Sequence, residues 1–364
     1  MQSPKIVAVK QIVVGDHPIP NDWTVADYYT QRNIIDEADI LVQANVLGNK
    51  KRKYQPMYQM IIDSGKPWIV TESAVFRKNM RSYPHPDAYH RYSWFSYYWD
   101  QAEYCNADSP PDRWETVQRE QQIEIKPWKK DGDYILVVLQ RPGDSSLKPL
   151  LDLHGDYETF LTHTLNSIRA NTDRSIVIRL HPLRQDRQIE ILKKIEHTLG
   201  DVEYSGIMPG QTPGDVLEGG DSLLKDFANA WAVVGFNSNA LTESVCEGIP
   251  TFSLCSSSMA WPVSNHDLAQ LDNPDRTIMR MQWLWDLAYC QWKESEVAGG
   301  AMWEHVGQLW PKIKQTRLDR PDWQEVLQRR EDYYQQHYIQ HWANYYARNK
   351  KILNKHLQRR MKGK

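Results

Sequence analysis

The stretch Trp231–Leu254, WAVVGFNSNALTESVCEGIPTFSL, decides the fold. Ala232–Phe236 is an unbroken apolar run of the length of one buried strand. Asn237-Ser238-Asn239 ends it with residues that cap helices, and Ala240–Glu247 reads as a helix stopped by Gly248. After Ile249-Pro250, Thr251–Leu254 begins a second strand. Strand, polar turn, helix and strand make one βαβ unit. In open α/β sheets ligands sit beyond the carboxyl ends of the strands, and a helix N-terminus there offers N–H groups and a positive dipole to an anion. A phosphate-bearing ligand is the expectation for this unit.

Upstream, the same pattern repeats. Tyr134–Gln140 is a strand, followed by the turn Arg141–Ser146 and a helix over Asp156–Asn171. Ser175–Leu180 is a strand that runs into His181-Pro182. Gln188–Leu199 reads as a helix, Val202–Tyr204 as a short strand, and Leu223–Ala230 as a helix. The amino-terminal half follows suit: a strand over Lys5–Gly15, a helix capped by Asp22 or Thr24 and running to Asn33, and a strand over Ala38–Gln43. A helix over Tyr54–Ser64 and a strand over Trp68–Thr71 complete it. Successive βα units imply parallel sheets covered by helices. The strand ends of this half present Asp16 and His17, Asn45, and Glu72.

Residues 83–114 break the pattern. They are crowded with Tyr and Trp and carry His85, His90, Arg91 and Arg113. A long aperiodic segment inside a domain is expected to wall a cleft, or to pad the last helices. Lys126–Asp133 reads as a linker. Beyond Asp267 the chain turns helical and Trp-rich, with a long helix from about Trp323 to Gln358. The predicted architecture is α/β: two Rossmann-like domains facing across a cleft, with a helical C-terminal return, the arrangement called GT-B. Residues 1–125 form the acceptor domain, 126–322 the donor domain, and 323–364 a helix crossing back with a basic tail.

Composition narrows the class. The 364 residues carry a net charge of −2, and no apolar run approaches the roughly 20 residues that cross a bilayer. The first residues, MQSPKIVAVKQIVVG, enter a strand without a signal-peptide pattern. Cys105, Cys246, Cys255 and Cys290 show no CxxC spacing and read as reduced thiols, so a cytoplasmic protein without a metal centre is expected. There are 15 Trp and 19 Tyr against 6 Phe, a bias toward rings that combine an apolar face with a hydrogen-bonding edge. Arg348–Lys364 holds eight Lys and Arg and no acidic residue, leaving −10 on the rest of the chain. Such a tail suits a polyanion or is simply solvated.

Three segments in order, YILVVLQRPGDSS, SIVIRLHP and AWAVVGFNSNALTESVCEGIPTF, resemble the bacterial capsule-polysaccharide Kdo-transferase family. There too a strand ends in Leu-Gln before an Asp-containing turn, a second ends in His-Pro, and a third in Asn-Ser before a helix. The resemblance covers about residues 134–270. The whole chain, with WIVTESAVFR and SPPDRW, is also similar to glycosyltransferase-like proteins of tailed bacteriophages, which are associated with sugar addition to hydroxymethylated pyrimidines of phage DNA. These resemblances imply a glycosyltransferase that uses a UDP- or CMP-linked sugar as co-substrate and needs no other cofactor, working in the host cytoplasm if phage-encoded.

Glycosyl transfer must stabilise a leaving phosphate and deprotonate an acceptor hydroxyl. Helix N-termini and cationic side chains can do the first. The candidate donor contacts are Gln140, Arg141, Arg179, His181, Asn237, Ser238 and Glu243. A carboxylate or His at a strand end can do the second; Glu72 is the first choice, paired with Arg77, with Asp16 and His17 as alternatives. Arg91 is a candidate for a phosphate. Tyr92, Trp94 and Tyr97 are candidates for stacking on a base flipped from double-stranded DNA. The expected partners are a nucleotide sugar and hydroxymethylated DNA. The alternatives are a surface polysaccharide or lipid acceptor, or a nucleotide-sugar binding protein without catalysis.

Overall fold

The structure, a computed structural model, describes residues 3–10, 17–44, 55–76, 88–181, 185–199, 202–206 and 220–319. Among these the strands are β1 (Ile6–Lys10), β2 (Thr24–Asp27), β3 (Ile40–Ala44), β4 (Trp68–Ser73), β5 (Tyr89–Trp94), β6 (Tyr134–Val138), β7 (Ser175–Arg179), β8 (Val202–Ser205), β9 (Ala230–Gly235), β10 (Thr251–Ser253) and β11 (Gln291–Lys293). The helices are α1 (Arg32–Asp36), α2 (Gln55–Asp63), α3 (Asp112–Gln121), α4 (Lys148–His154), α5 (Tyr157–Asn171), α6 (Gln185–Leu199), α7 (Gly220–Ala228), α8 (Asn239–Cys246), α9 (Met281–Ala288), α10 (Glu294–Ala298), α11 (Ala301–Val306) and α12 (Trp310–Asp319). The described chain divides into two compact units. One holds the residues up to Gln121 together with Met281–Asp319, the other Gln122–Arg280.

The second unit follows the sequence pattern closely. Its five strands are all parallel, in the order β10-β9-β6-β7-β8. Their continuous Val and Ile runs suit a sheet buried on both faces. One face packs Ile135, Val137, Ile176, Ile178 and Val234 against Phe160, Leu161 and Leu165 of α5 and Leu192 of α6. Asp156 caps α5 by accepting the Thr159 N–H, and Gly248 closes α8. Gly248 has φ +75°, and a Cβ there would stand 2.0 Å from the Pro127 carbonyl oxygen. The linker is strapped to this turn: the Lys126 N–H donates to Cys246 O and the Lys129 N–H to Gly248 O. Gly248→Ala is therefore expected to destabilise the second unit by about 2–4 kcal/mol, left-handed strain plus the backbone displacement needed to relieve the clash. Urea unfolding of the two proteins measures it.

The first unit departs from the sequence reading in three places. Its six strands run in the order β11-β5-β4-β3-β1-β2; β2, β1, β3 and β4 are parallel, β5 is antiparallel to β4, and β11 is antiparallel to β5. First, Thr24–Asp27 is a strand beside β1, not a helix. Thr24 and Val25 are β-branched, and Asp27 ends the strand by accepting the Tyr29 and Thr30 N–H groups, so only the short α1 follows.

Second, the aromatic segment contains a central strand. All six residues of β5 are buried. Third, residues 281–319 belong with the first unit, whereas the sequence reading ran the second domain to 322. Gln291–Lys293 pairs with Tyr89–Arg91, and the following helices cover one face of the sheet. There Ile69, Tyr92 and Trp94 pack with Trp292, Val297, Met302, Val306 and Ile313. The opposite face packs Trp68 and Val70 with Tyr97, Tyr98 and Met57, Tyr58 and Ile61 of α2. The helix expected over 323–358 and the basic tail lie outside the described residues. No helix among the described residues is long and apolar enough to cross a membrane.

Candidate functional site

In the second sheet the chain runs β6, β7, β8 in one direction, then returns to place β9 on the other side of β6. The strand order reverses between β6 and β9, and the carboxyl ends of those two strands flank the crevice where α/β sheets take ligands. Gln140 follows β6 and Asn237 follows β9. Their side chains clasp: Gln140 Nε2 donates to Asn237 Oδ1 at 2.6 Å, and the Asn237 N–H donates to Gln140 Oε1 at 3.2 Å. Asn237 Nδ2 also donates to Ser146 O at 2.9 Å and Ser257 Oγ at 2.8 Å, tying three loops of one sheet edge together.

The clasp is built on fixed backbone. The Tyr157 hydroxyl donates to Gln140 O at 2.9 Å and accepts the Gln140 N–H at 3.3 Å. Burial drives the Tyr157 hydroxyl far above its ordinary range, so it stays protonated as a donor. Gly235 lets β9 and α8 approach β6, since a Cβ there would meet Val138 Cγ2 at 2.7 Å and Leu241 Cδ2 at 3.1 Å. Ser238 is the N-cap of α8, its hydroxyl accepting the Ala240 N–H at 3.3 Å. Leu241, Thr242, Val245 and Cys246 face inward, while Asn237, Ser238, Asn239, Ala240 and Glu243 form a half-buried ridge. The positive end of the helix dipole thus opens beside the clasp. The structure brings Gln140, Asn237 and Ser238 together, with Glu243 one turn along the same helix.

Other predicted donor contacts are placed differently. Arg141 forms an ion pair with Asp144 at 2.7 Å, and Asp144 accepts the Ser146 N–H, so the pair shapes the 141–146 turn. At His181 the backbone is clamped by Gln188: its amide receives the His181 N–H at 2.8 Å and donates to His181 O at 3.0 Å. Gln188 is buried, which fixes the end of β7 where the polypeptide leaves the sheet. Arg179 is a correction. Its guanidinium pairs with Asp226 of α7, whose carboxylate also accepts the Ser205 hydroxyl. An arginine held in a largely buried ion pair joins helix to sheet and is not poised for a phosphate.

The first unit yields two separate groups at the carboxyl end of β4. Consecutive strand residues point to opposite faces. Glu72 stands cross-strand from Arg91 on one face, with its Oε1 accepting the Ser73 N–H at 2.8 Å. Arg91 is buried and donates to Ser73 O at 2.8 Å, with its guanidinium 5.5 Å from the Tyr97 ring. On the other face lie Thr71, Ser73, His90 and Tyr92. His17 joins this second group: its Nδ1 is 2.9 Å from Thr71 Oγ1 and its ring centroid 4.9 Å from that of His90. The Tyr92 hydroxyl donates to Pro18 O, anchoring the next residue. Asp16, Asn45, Arg77 and His85 lie outside the described residues.

The stacking surface is the second correction. Tyr92 and Trp94 are 0% exposed, and Tyr97 is buried as well. Trp94 Nε1 donates to Val306 O at 2.8 Å, locking the ring under residues far downstream. None of these rings offers a face to a flipped base, and buried Arg91 does not reach solvent as a phosphate contact. The aromatic surplus is packing for a strand covered on both sides. Sequence pattern alone assigns no site role to Ser146, Tyr157, Ser257 and Thr71, and marks His90 only as part of the aromatic segment. The serine runs Asp144-Ser145-Ser146 and Ser256-Ser257-Ser258, each just beyond a strand, were the available signal for two of them.

All four cysteines are free of disulfides. Among the described residues no group of three or more His, Cys, Asp or Glu is placed to hold a metal ion.

No protein-family model matches the chain, and no curated protein matches it. Solved structures do. The β-Kdo 2,4 transferase of Thermosulfurimonas dismutans KpsC aligns with 80% of this chain and 92% of its own, at 11% identity and a TM-score of 0.48. The β-Kdo 2,7 transferase of the same KpsC aligns with 84% of this chain and 99% of its own, at 15% identity and a TM-score of 0.46. AviGT4, a glycosyltransferase involved in avilamycin A biosynthesis, aligns over 78% and 77% at 14% identity and a TM-score of 0.24.

Proposed function

We propose that the protein is a glycosyltransferase that takes a nucleotide-activated sugar, UDP- or CMP-linked, at the carboxyl edge of the second sheet. The observation that carries the reading is the Gln140–Asn237 clasp at the point where strand order reverses, beside the Ser238-capped start of α8. A phosphate is the ligand such an edge suits, because N–H donors and a helix dipole converge there. Asn237, Ser238 and His181 are the assigned phosphate and ribose contacts, and Glu243 is assigned to ribose hydroxyls. The acceptor oxygen attacks the anomeric carbon, the bond to the nucleotide phosphate breaks with its electron pair, and a base takes the hydroxyl proton. Glu72, Asp16 and His17 are the candidate bases.

For the acceptor, a glycan or lipid hydroxyl is favoured over hydroxymethylated DNA. The observation behind that preference is the burial of Tyr92, Trp94 and Tyr97, which removes the stacking surface that a flipped base needs. The DNA reading keeps its support from the basic tail and predicts a salt-sensitive gel shift with hydroxymethylcytosine duplex. The absence of that shift at low salt excludes it.

Thermal shift against UDP-glucose, UDP-galactose and CMP-linked ulosonic acids tests the donor assignment. A ligand at about 100 times its Kd stabilises by about 2.7 kcal/mol, roughly 5–10 °C for a unit of this size. His181→Ala is expected to weaken the productive nucleotide sugar about tenfold, about 1.4 kcal/mol. No stabilisation by any member of the panel would sink the proposal. Nucleotide release only when an acceptor is present separates an enzyme from a binding protein.

A further inference from the structure

The hydrogen-bond roles in the clasp are fixed one after another, because it ends on backbone groups with a single role each. The Asn237 N–H can only donate, so the Gln140 atom 3.2 Å from it is the oxygen, Oε1. Ser146 O can only accept, so the Asn237 atom 2.9 Å from it is the nitrogen, Nδ2. Asn237 Oδ1 then accepts from Gln140 Nε2 at 2.6 Å. The second hydrogen of Gln140 Nε2 goes to Ser146 Oγ at 3.2 Å, and the second hydrogen of Asn237 Nδ2 to Ser257 Oγ at 2.8 Å. All four amide hydrogens of the pair are thus spent inside the protein. What remains on these side chains is acceptor capacity, which leaves Asn237 to a ribose hydroxyl and neither amide to a phosphate oxygen.

Ser146 and Ser257 each receive one of those hydrogens, so each hydroxyl turns its own proton elsewhere. Ser257 has a partner beside it, Cys255 Sγ at 2.8 Å, and both residues are buried. Ser146 is half-buried, and its hydroxyl makes no hydrogen bond other than the one it accepts from Gln140. We propose that Ser146 binds the nucleotide sugar by giving this proton to a phosphate oxygen, and that Gln140 and Asn237 are the positioning residues that aim it. This rests on the glycosyltransferase reading and names the atom at the end of β6 that meets the anion.

The surroundings of Ser146 suit that role. Its backbone is held at both ends: the N–H donates to Asp144 Oδ1 at 3.0 Å and the carbonyl accepts from Asn237. The side chain therefore projects from a fixed point, and the ligand has little ordering to do on binding. The carboxylate of the turn is neutralised, since Asp144 also pairs with Arg141 at 2.7 Å. Ser238, next in sequence to Asn237, has the same polarity. Its hydroxyl accepts the Ala240 N–H at 3.3 Å, which turns its own proton away from the helix. A hydroxyl already engaged as an acceptor and left with one proton to give matches an atom that only accepts. A phosphate oxygen is such an atom, and its charge strengthens the bond.

The test measures binding of UDP, CMP, their nucleosides uridine and cytidine, and the UDP- and CMP-linked sugars to the full chain, by calorimetry for the nucleotides and by NMR titration for the weaker nucleosides. For the nucleotide that binds the wild type, Ser146→Ala is expected to raise Kd about tenfold, the loss of one hydrogen bond to a charged acceptor, and to leave the matching nucleoside within about twofold. Ser146→Thr, which keeps the hydroxyl, is expected to stay within about threefold of wild type for both. Ser146→Cys, close to serine in size and a weak donor, is expected to follow alanine and gives the same reading if the alanine variant does not fold. Gln140→Leu is expected to weaken the nucleotide about tenfold, to spare the nucleoside, and to add less than about twofold to Ser146→Ala. Unchanged nucleotide affinity in Ser146→Ala, equal losses for nucleotide and nucleoside, or Ser146→Thr as weak as alanine overturns the proposal. A loss seen with the nucleotide sugar but not with the nucleotide places the hydroxyl on the sugar and overturns it as well. A Gln140→Leu loss that adds in full to that of Ser146→Ala overturns the positioning role. A wild type that binds neither nucleotide nor nucleotide sugar overturns the parent reading instead.

Discussion

Arg113→Met is expected to destabilise the first unit by about 3–5 kcal/mol, the cost typical of removing one partner of a buried ion pair. Arg113 on α3 reaches the segment that returns from the second unit. Its Nη1 and Nη2 hold the two oxygens of Glu296 at 2.7 and 2.8 Å. Nε donates to Ala288 O at 2.8 Å, Nη2 to Gln291 O at 2.6 Å, and the guanidinium lies 3.9 Å over the Trp292 ring. One side chain thus fastens α9, β11 and α10 to the first sheet. Burial by itself would raise the Glu296 carboxyl, but the hydrogen bonds and charge of Arg113 pull it below its ordinary value. A lowered carboxylate stabilises the fold above its unfolded value and loses that contribution as pH falls through the folded one. Urea midpoints at neutral pH read the loss, and the gap between wild type and Arg113→Met should narrow in acid. A variant as stable as the wild type at neutral pH would mean that β11 is held by its ladder alone.

Asn237→Leu is expected to reduce nucleotide-sugar affinity about 100-fold, about 2.7 kcal/mol. Leucine keeps the volume but leaves Ser146 O and Ser257 Oγ without the amide that satisfied them, and Gln140 without its reciprocal partner. Polar groups stranded in this way cost about 1–3 kcal/mol. Some of that appears as lost stability of the second unit, so the variant needs a control. Gln140→Leu supplies it. If the two residues act as one clasp, the double variant loses little more affinity than either single, and the coupling energy is about 1–3 kcal/mol. Additive losses would mean that each side chain meets the ligand independently.

The second unit was legible because its residues follow simple rules. Continuous apolar runs of five or six, each broken by Gly, Pro or a capping residue, mark strands of a parallel sheet buried on both faces. Strand ends in such a sheet share one edge, so Gln140 and Asn237 could be placed together from order alone. What order could not supply was commitment: Arg179 shares that region with them, yet Asp226, 47 residues on, takes its charge. The first unit was harder for a physical reason. β5, Tyr-His-Arg-Tyr-Ser-Trp, carries polar residues that are buried inside the fold, so it has no apolar run and no alternation. Its partner β11 is three residues long and lies 200 positions away, where no local pattern announces a strand. Buried tyrosines and tryptophans with satisfied polar edges look, in sequence, like a recognition surface.

The most direct test of the donor assignment is backbone amide exchange of the full chain, with and without saturating nucleotide sugar drawn from the UDP- and CMP-linked panel. The account predicts slowed exchange at Gln140–Ser146 and across Asn237–Glu243, the two loops joined by the clasp, with β8 unchanged. Protection confined to the first unit, or no protection at saturation, would contradict it.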